Sequence, residues 1–293
     1  MAKHKKKFGK IKISACYIVK NAANDLRRSL ESLVKCVDEI IVVDTGSTDS
    51  TVAVAEEFGA KIFHEPWQDD FSAPRNVALR EATGDWIVFI DSDEYFIKNT
   101  AKNLRAAIKQ ARNKNIPGLL VKWVNVDADN GNKIINATYV LRIFEKAAGV
   151  HYVGKIHEDV YSGDEPLNRA MISADLLTLY HTGYSATISR AKAERNLKLL
   201  LEELNTSDKP ERIYAYLVDA YYAVEDWTNA EKFARLDLEA RKNPSNRPIS
   251  ILLEILEKDS SRSEECYPGI LWDLDMELNS MQQSLAPGIW SMD

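Results

Sequence analysis

The sequence predicts an α/β domain with a mostly parallel central sheet, followed by a smaller all-α domain. Continuous apolar runs at residues 40–43 and 86–90 are typical of strands buried on both faces, and segments with helical spacing alternate with them. After Tyr184 the pattern is helical only. We therefore expect a basic tail over residues 1–10, the α/β domain over residues 11–184, and a helical domain with a C-terminal tail over residues 185–293.

The first two strands are predicted over residues 11–19 and 40–43, with an amphipathic helix between them. The second strand ends at Asp44. Residues 46–49 then supply a tight turn and an N-cap for the next helix. Strand and helix therefore alternate from the start of the domain.

A third strand over residues 61–63 leads into a polar loop over residues 65–71 and a helix that contains Arg75. Gly84 ends this helix before the strand over residues 86–90. In open parallel sheets, ligands bind beyond the carboxyl ends of the strands. The polar loops that follow these strands are therefore expected to converge at one edge.

Asp91-Ser92-Asp93 directly follows a buried strand. Two carboxylates at this spacing can hold a hard divalent cation that also binds diphosphate oxygens. This is the chemistry of a nucleotide-sugar site. A solvated acidic turn is the alternative, because such triplets are frequent.

Several segments together resemble the family-2 inverting glycosyltransferases of the GT-A fold, in the branch of the bacterial lipopolysaccharide-core and peptide glycosyltransferases. The main segments are residues 19–21, 38–49, 70–76 and 82–94, and weaker similarity continues at residues 141–144, 154–158 and 180–184. The resemblance implies a GT-A domain that binds a nucleotide sugar with a divalent metal, Mn²⁺ or Mg²⁺.

The resemblance also implies roles for the residues of the donor site. Asp44 would contact the nucleoside, Asp91 the ribose or the metal shell, and Asp93 the metal, while His181 would complete the metal shell. Asn21 and Ser92 are expected in the same donor site. Asp44 as a turn or capping carboxylate, and His181 hydrogen-bonded under the turn at residues 183–184, are the alternatives.

Arg75 offers a fork of donors that suits phosphate or an acidic loop, and a surface salt bridge is its alternative. Asn76 beside it is expected to cap or cross-link loops. The chain departs from the family pattern at Ala22-Ala23, where an acidic residue is common, and at Pro74, which the first turn of a helix tolerates.

Glu158 is the candidate catalytic base, because the resemblance places an acidic residue there and a carboxylate can take the proton of an acceptor hydroxyl or thiol. Asp159 is its rival, and His157 is either a partner or a structural histidine. Residues 118–126 and the turn at 127–133 are predicted to form a hairpin. Trp123 and Arg142 are expected to line the acceptor groove.

The helical region contains a pattern over residues 214–230 that resembles a degenerate tetratricopeptide repeat. It is interpreted as a platform for a peptide acceptor or for homodimerisation, with an ordinary helical appendage as the alternative. Residues 259–293 are a candidate lid over the donor site.

The composition sets further bounds. The net charge of -6 argues against nucleic acid as the main partner. No apolar run is long enough to cross a bilayer and no signal segment is expected. Three cysteines without ligand or redox spacing indicate reduced thiols and a cytoplasmic location. The basic start is a candidate contact with an anionic surface at the inner face of the membrane.

The resemblance therefore implies a metal-dependent inverting glycosyltransferase that uses a nucleotide sugar, most simply a UDP-sugar. Its acceptor is a glycan, a lipid-linked molecule or a peptide. The alternatives are a partner-binding protein with an inactive transferase domain and a sugar-phosphate nucleotidyltransferase. The second would be expected to have a Gly-rich, Arg-containing loop after the first strand, and this chain has Lys20-Asn21-Ala22-Ala23 there.

Overall fold

The computed structural model describes residues 11–97, 100–147, 149–183, 186–240 and 246–258. The chain divides into two compact units, and the second begins at Ala186. The sequence places its domain boundary at Tyr184, beside this division. The predicted basic tail and the predicted lid over residues 259–293 lie outside the described residues.

The first unit is built from twelve described strands and four described α-helices. The helices are α1 (Ala23–Leu33), α2 (Thr51–Glu57), α3 (Ser72–Glu81) and α4 (Leu104–Asn113). The strands are β1 (Ile13–Val19), β2 (Glu39–Asp44), β3 (Lys61–His64), β4 (Trp86–Phe89), β5 (Glu94–Phe96), β6 (Gly118–Asp127), β7 (Lys133–Glu145), β8 (Val150–Val153), β9 (Asp159–Ser162), β10 (Glu165–Pro166), β11 (Arg169–Met171) and β12 (Thr178–His181).

Among the described residues, nine of these strands form one sheet in the order β3-β2-β1-β4-β7-β6-β12-β5, with β11 paired to β6. Five of its pairings are parallel and three are antiparallel. The predicted α/β fold with a mostly parallel sheet is thus confirmed. β8, β9 and β10 form a second, antiparallel sheet.

The order of the strands brings distant parts of the chain to one edge. β7 is antiparallel to both β4 and β6, so β6 runs in the direction of β4, and β12 is parallel to β6. The carboxyl ends of β1, β2, β4 and β12 therefore lie at the same edge, which we name the C-terminal rim. At this rim Thr182 Oγ1, which follows β12, donates to Asp93 O (3.2 Å), although the two residues are 89 positions apart along the chain.

Both faces of the sheet are buried, as the continuous apolar runs predict. In β4, Trp86 and Val88 join the cluster of apolar side chains on one face, and Ile87 and Phe89 join the cluster on the other. Leu30 of α1 packs into the first cluster. Successive residues of β4 thus contribute alternately to the two core layers. This alternation fixes the register of the strand and so the position of the loop that follows it.

The edge opposite the rim carries a tight polar junction. Gly84 N donates to Ser14 Oγ (2.8 Å), and Ser14 Oγ donates to Glu39 Oε1 (2.5 Å). A Cβ at Gly84 would lie 2.4 Å from Ser14 Oγ and 2.7 Å from Ser14 N. Glycine is therefore required here by the close approach of two backbones.

The sequence predicts the long β6–β7 hairpin, which the structure contains, with its turn at residues 128–132. It does not predict α4, β5 or the strands β8 to β11. β5 and β8 to β11 have four residues or fewer, too few to show an alternating pattern.

The second unit contains four described helices: α5 (Ala186–Thr206), α6 (Tyr214–Ala223), α7 (Trp227–Ala240) and α8 (Asn246–Lys258). α6 and α7 form the predicted helix-turn-helix. Glu225 adopts φ +64° in the turn, and Asp226 Oδ1 accepts a hydrogen bond from Asn229 N (3.1 Å) at the start of α7. α8 was not predicted from the sequence.

Candidate active site

The loops after β1 and β2 are bound to each other at the C-terminal rim. Asn21, at φ +51°, accepts a hydrogen bond from Thr48 N (2.7 Å) through Oδ1, and its own N donates to Ser47 Oγ (3.0 Å). At the departure from the family pattern, Ala22 N donates to Thr51 Oγ1 (2.7 Å). Side chains that follow β2 thus accept hydrogen bonds from the backbone N–H groups just before α1, and Asn21 lies at the C-terminal rim.

Asp44 is buried at the end of β2. Its carboxylate accepts hydrogen bonds from Gly46 N (3.2 Å) and Ser47 N (3.1 Å), and Oδ2 lies 3.4 Å from His64 Nδ1. The sequence leaves two roles open for Asp44, a nucleoside contact and a turn-stabilising carboxylate. These hydrogen bonds are those of a turn-stabilising carboxylate. Asp44 shapes the loop that would receive a nucleoside, whereas His64 is mostly exposed beside it.

Asp91 is held by two arginines from different elements. Arg75 Nη2 of α3 donates to Asp91 Oδ1 (2.9 Å), and Arg142 Nη2 of β7 donates to Oδ2 (3.0 Å). Burial would raise the pKa of the Asp91 carboxyl, but the two positive charges outweigh burial and lower it. Asp91 is therefore an ionised carboxylate in a fixed orientation. Ser92 follows it in the turn before β5, partly exposed.

Arg75 is buried, so the interpretation as a surface salt bridge is wrong. Its guanidinium carbon lies 4.8 Å from the ring centre of Phe89 and 5.4 Å from that of Tyr152. Nε forms an ion pair with Glu158. Burial would lower the pKa of Arg75, but Glu158 and Asp91 raise it above its ordinary value, which keeps the guanidinium charged.

Three hydrogen bonds with side chains of α3 fix the segment that precedes Glu158. Asn76 Nδ2 donates to Tyr152 O (3.0 Å), and Tyr152 N donates to Asn76 Oδ1 (2.8 Å). This cross-link is the role the sequence predicts for Asn76. Ser72 Oγ also donates to Gly154 O (2.5 Å). The segment that carries Glu158 is therefore fixed to the helix that carries Arg75.

The rival base, Asp159, has a different environment. Its two oxygens accept hydrogen bonds from Arg169 Nη1 (2.7 Å) and Nη2 (2.6 Å). This bidentate pair occupies both oxygens of the carboxylate. Glu158 is instead paired with Arg75, which also binds Asp91.

Asp93 and His181 come together, as the resemblance implies. His181 Nε2 lies 3.3 Å from Asp93 Oδ2, and His181 Nδ1 lies 2.7 Å from Asn125 Oδ1. The Trp123 ring stacks on the imidazole with 4.5 Å between ring centres. Asp93 and His181 are both largely buried at the rim.

Glu94 also lies in the site, and the sequence predicts no role for it. It is fully buried and accepts hydrogen bonds from Trp123 Nε1 (2.7 Å), Arg142 Nη2 (2.6 Å) and Asp91 N (3.1 Å). Burial raises the pKa of Glu94, while the charge of Arg142 opposes that rise. A buried carboxylate needs donors, and Trp123 and Arg142 supply them. That these two side chains line an acceptor groove stays a prediction.

Among the described residues no three His, Cys, Asp or Glu side chains form a metal-binding group. Asp93 and His181 nevertheless fit a Mn²⁺ or Mg²⁺ ion shared with a ligand. Mg²⁺ usually keeps several waters and takes few protein ligands beside substrate phosphates, and imidazole suits divalent transition metals. A pair of protein ligands beside the ionised Asp91 therefore matches a cation that arrives with a diphosphate.

Two further observations concern the described chain as a whole. Cys16 is buried and Cys36 partly buried, and neither is in a disulfide; burial raises the pKa of both thiols. Across the described helices, none combines the length and apolar character that a membrane span requires.

Comparison with known proteins finds similarity to glycosyltransferases. Residues 14–151 match the family described as Glycosyl transferase family 2. The chain is 31% identical over 203 residues to glycosyltransferase SunS of Bacillus phage SPbeta, which covers 66% of this chain and 45% of SunS. It is 50% identical over 98 residues to a TPR repeat-containing protein of Synechococcus elongatus, covering 33% of this chain and 24% of that protein.

A solved structure supports the same fold. The structure of S. aureus TarS, residues 1–349, in complex with UDP-GlcNAc matches with a TM-score of 0.51 at 20% identity, covering 83% of this chain and 84% of that chain. This likeness confirms the GT-A fold. The chain spans about a quarter of the TPR repeat-containing relative and just under half of SunS.

Proposed function

Because residues 14–151 match the family described as Glycosyl transferase family 2, we propose that the protein is a metal-dependent inverting glycosyltransferase. The observation that carries this proposal is the approach of His181 Nε2 to Asp93 Oδ2 at 3.3 Å, beside the ionised Asp91. A donor diphosphate needs a cation at such a point, because negative charge builds on it as the sugar departs.

The proposed donor is a UDP-sugar. TarS, which has the same fold, was solved with UDP-GlcNAc. In this chain the loops of Asn21 and Asp44 form the part of the rim proposed for the nucleoside, and Asp91 and Ser92 the part for the ribose and diphosphate. The buried Arg75 and the partly buried Arg142 keep the Asp91 carboxylate ionised and fix its orientation.

The proposed chemistry is a single displacement at the anomeric carbon. The bond between that carbon and the diphosphate oxygen breaks while the acceptor oxygen or sulfur forms a new bond on the opposite face. Glu158 takes the acceptor proton as general base. A metal held by Asp93 and His181 would supply charge stabilisation to the leaving diphosphate.

The electrostatic role of Arg75 in this scheme follows from its two partners. It binds Asp91 on the donor side and Glu158 on the acceptor side through one rigid, stacked guanidinium. A group fixed in this way keeps the two carboxylates at a constant separation. We propose that this separation matches the distance between the leaving group and the attacking atom.

The acceptor is proposed to be a glycan, a lipid-linked molecule or a peptide. The helix-turn-helix of α6 and α7, which packs against α5 and α8, is proposed as a platform for a peptide acceptor or for homodimerisation. For a lipid-linked acceptor, the proposed location of the protein is the cytoplasm, at the inner face of the membrane.

The test is slow hydrolysis of a panel of UDP- and GDP-sugars by wild type and Asp93→Ala, with Mn²⁺, with Mg²⁺ and with chelator. The proposal expects metal-dependent hydrolysis of one donor and its loss in Asp93→Ala. The matched control is Asp127→Ala, a carboxylate at the end of β6. If wild type neither hydrolyses nor binds any donor by calorimetry, the partner-binding alternative replaces the proposal.

A further inference from the structure

His181 lies in a row of polar side chains that crosses the sheet. In the strand register it is paired with Glu94 of β5 on one side and with Asn125 of β6 on the other, and Asn125 is paired with Asn136 of β7. Side chains at directly paired positions lie on the same face of a sheet. The neighbours of the imidazole are thus set by the sheet.

The amide of Asn125 has one orientation in this row. Asn125 Nδ2 donates to Asn136 Oδ1 (2.6 Å), which leaves Asn125 Oδ1 toward His181 Nδ1 at 2.7 Å. A carbonyl oxygen only accepts hydrogen bonds, so in this arrangement the contact is a hydrogen bond when Nδ1 carries the hydrogen. In a neutral imidazole with the hydrogen on Nδ1, Nε2 carries the lone pair.

That lone pair lies against a second acceptor. Nε2 is 3.3 Å from Asp93 Oδ2, and a carboxylate oxygen next to a nitrogen lone pair is repulsive unless a proton or a metal cation lies between them. The stacked Trp123 ring, itself bound to Glu94 through Nε1, restricts rotation of the imidazole. Asn125 is 2% exposed, so water does not compete for its carbonyl.

We propose that Asn125 is a positioning residue that selects the Nδ1–H tautomer of His181 and thereby presents Nε2, with Asp93, as a ligand pair for a divalent cation. Histidines that bind metals commonly donate the other ring nitrogen to a carbonyl or carboxylate, which fixes the tautomer. The inference rests on the proposed metal-dependent function and adds the residue that prepares the site before the cation binds.

The first test reads the tautomer directly in the wild-type protein. Two-bond ¹H–¹⁵N spectra distinguish Nδ1–H, Nε2–H and doubly protonated rings, and the chain has only five histidines. The His181 signals are identified by their loss in His181→Gln. The inference expects Nδ1–H without added metal. A ring with Nε2–H, or with both nitrogens protonated, would overturn it.

The second test changes Asn125 itself. Asn125→Leu removes the acceptor at similar volume, and Asn125→Asp keeps an acceptor oxygen. We expect Asn125→Leu to shift His181 to Nε2–H and to weaken Mn²⁺ binding by about 10- to 100-fold, as removal of such partners does elsewhere. Asn125→Asp also adds a negative charge, and it is expected to bind Mn²⁺ at least as tightly as wild type. Mn²⁺ is measured by electron paramagnetic resonance with UDP present, and thermal unfolding monitors the fold.

The outcomes separate this inference from the proposed function. If wild type binds UDP but no Mn²⁺, both the metal dependence and this inference fail. If wild type binds Mn²⁺ and a folded Asn125→Leu binds it equally, the inference alone fails. If Asn125→Leu does not fold, the wild-type tautomer and the retention of Mn²⁺ binding by Asn125→Asp still decide the question.

Discussion

Arg75 Nη2 donates to Asp91 Oδ1 at 2.9 Å from inside the protein, with the guanidinium packed against the ring of Phe89. A charge buried in this way is retained only if its partners are fixed. The pair therefore connects the core of the domain to the rim, and substitutions of Arg75 test this connection.

Arg75→Lys is expected to keep the positive charge but to lose the planar fork that binds Asp91 and Glu158 at once. We predict a fall in donor turnover of about 100-fold, the effect of misplacing reacting groups by about 1 Å. The control is Arg80→Lys on the same helix, whose side chain is exposed. Equal turnover in the two variants would mean that Arg75 has no role in positioning.

Glu158→Gln tests the base assignment. The amide cannot take a proton, so we predict a loss of transfer to acceptor of about 10²- to 10⁴-fold with donor binding unchanged. Asp159→Asn is the matched change one residue along, where the carboxylate is paired with Arg169. If Asp159→Asn instead abolishes transfer while Glu158→Gln retains it, the base is Asp159. Initial rates with saturating donor, together with calorimetry for UDP, measure both quantities.

The convergence of Asp44, Asp91 and the start of α3 follows from sequence, because parallel strands bring their carboxyl ends to one edge regardless of the details of packing. The approach of His181 to Asp93 was implied only by the family resemblance. No residue pattern shows that β12 returns beside β6, since that depends on two antiparallel reversals through β7.

The roles of Glu94, Arg142 and Asn125 could not be predicted for a related reason. Glu94 and Arg142 are 48 residues apart, and their contact depends on the pairing of β5 with β12 and of β6 with β7. A shift of one residue in either register would turn these side chains to the other face. Glu94 was visible only as an acidic residue after Asp93, which alone does not distinguish a buried carboxylate from a solvated one.

Gly84→Ala tests the junction opposite the rim. The new methyl would lie 2.7 Å from Ser14 N and 3.0 Å from Lys12 O, both backbone atoms that cannot move away alone. We predict a loss of about 1–3 kcal/mol in the free energy of unfolding, the range for overpacked sites. Chemical denaturation measures it. A stability equal to wild type would show that the two backbones separate without cost.

Glu39 gives the domain a pH-dependent stability. Burial would raise the pKa of its carboxyl, but hydrogen bonds from Ser14, Thr83 and Lys61 lower it to about 2, against an ordinary value of 4.5. Because the folded pKa is below the unfolded one, this stabilisation is complete above the unfolded pKa. It is lost as pH falls from about 4.5 through about 2.

Glu39→Gln is therefore predicted to lower the free energy of unfolding by about 1–2 kcal/mol at pH 7, after allowing for water around the exposed Lys61. The difference from wild type should shrink steadily below pH 4.5, since protonated Glu39 no longer attracts Lys61 and offers a weaker acceptor to Thr83 and Ser14. Glu57→Gln, whose carboxylate is exposed beside Arg27, is the control and should differ from wild type by less than about 0.5 kcal/mol at every pH. Urea unfolding of the three proteins between pH 7 and pH 3 decides the matter: a difference for Glu39→Gln that stays constant across this range would show that the loss comes from packing and that the charge of Glu39 contributes nothing.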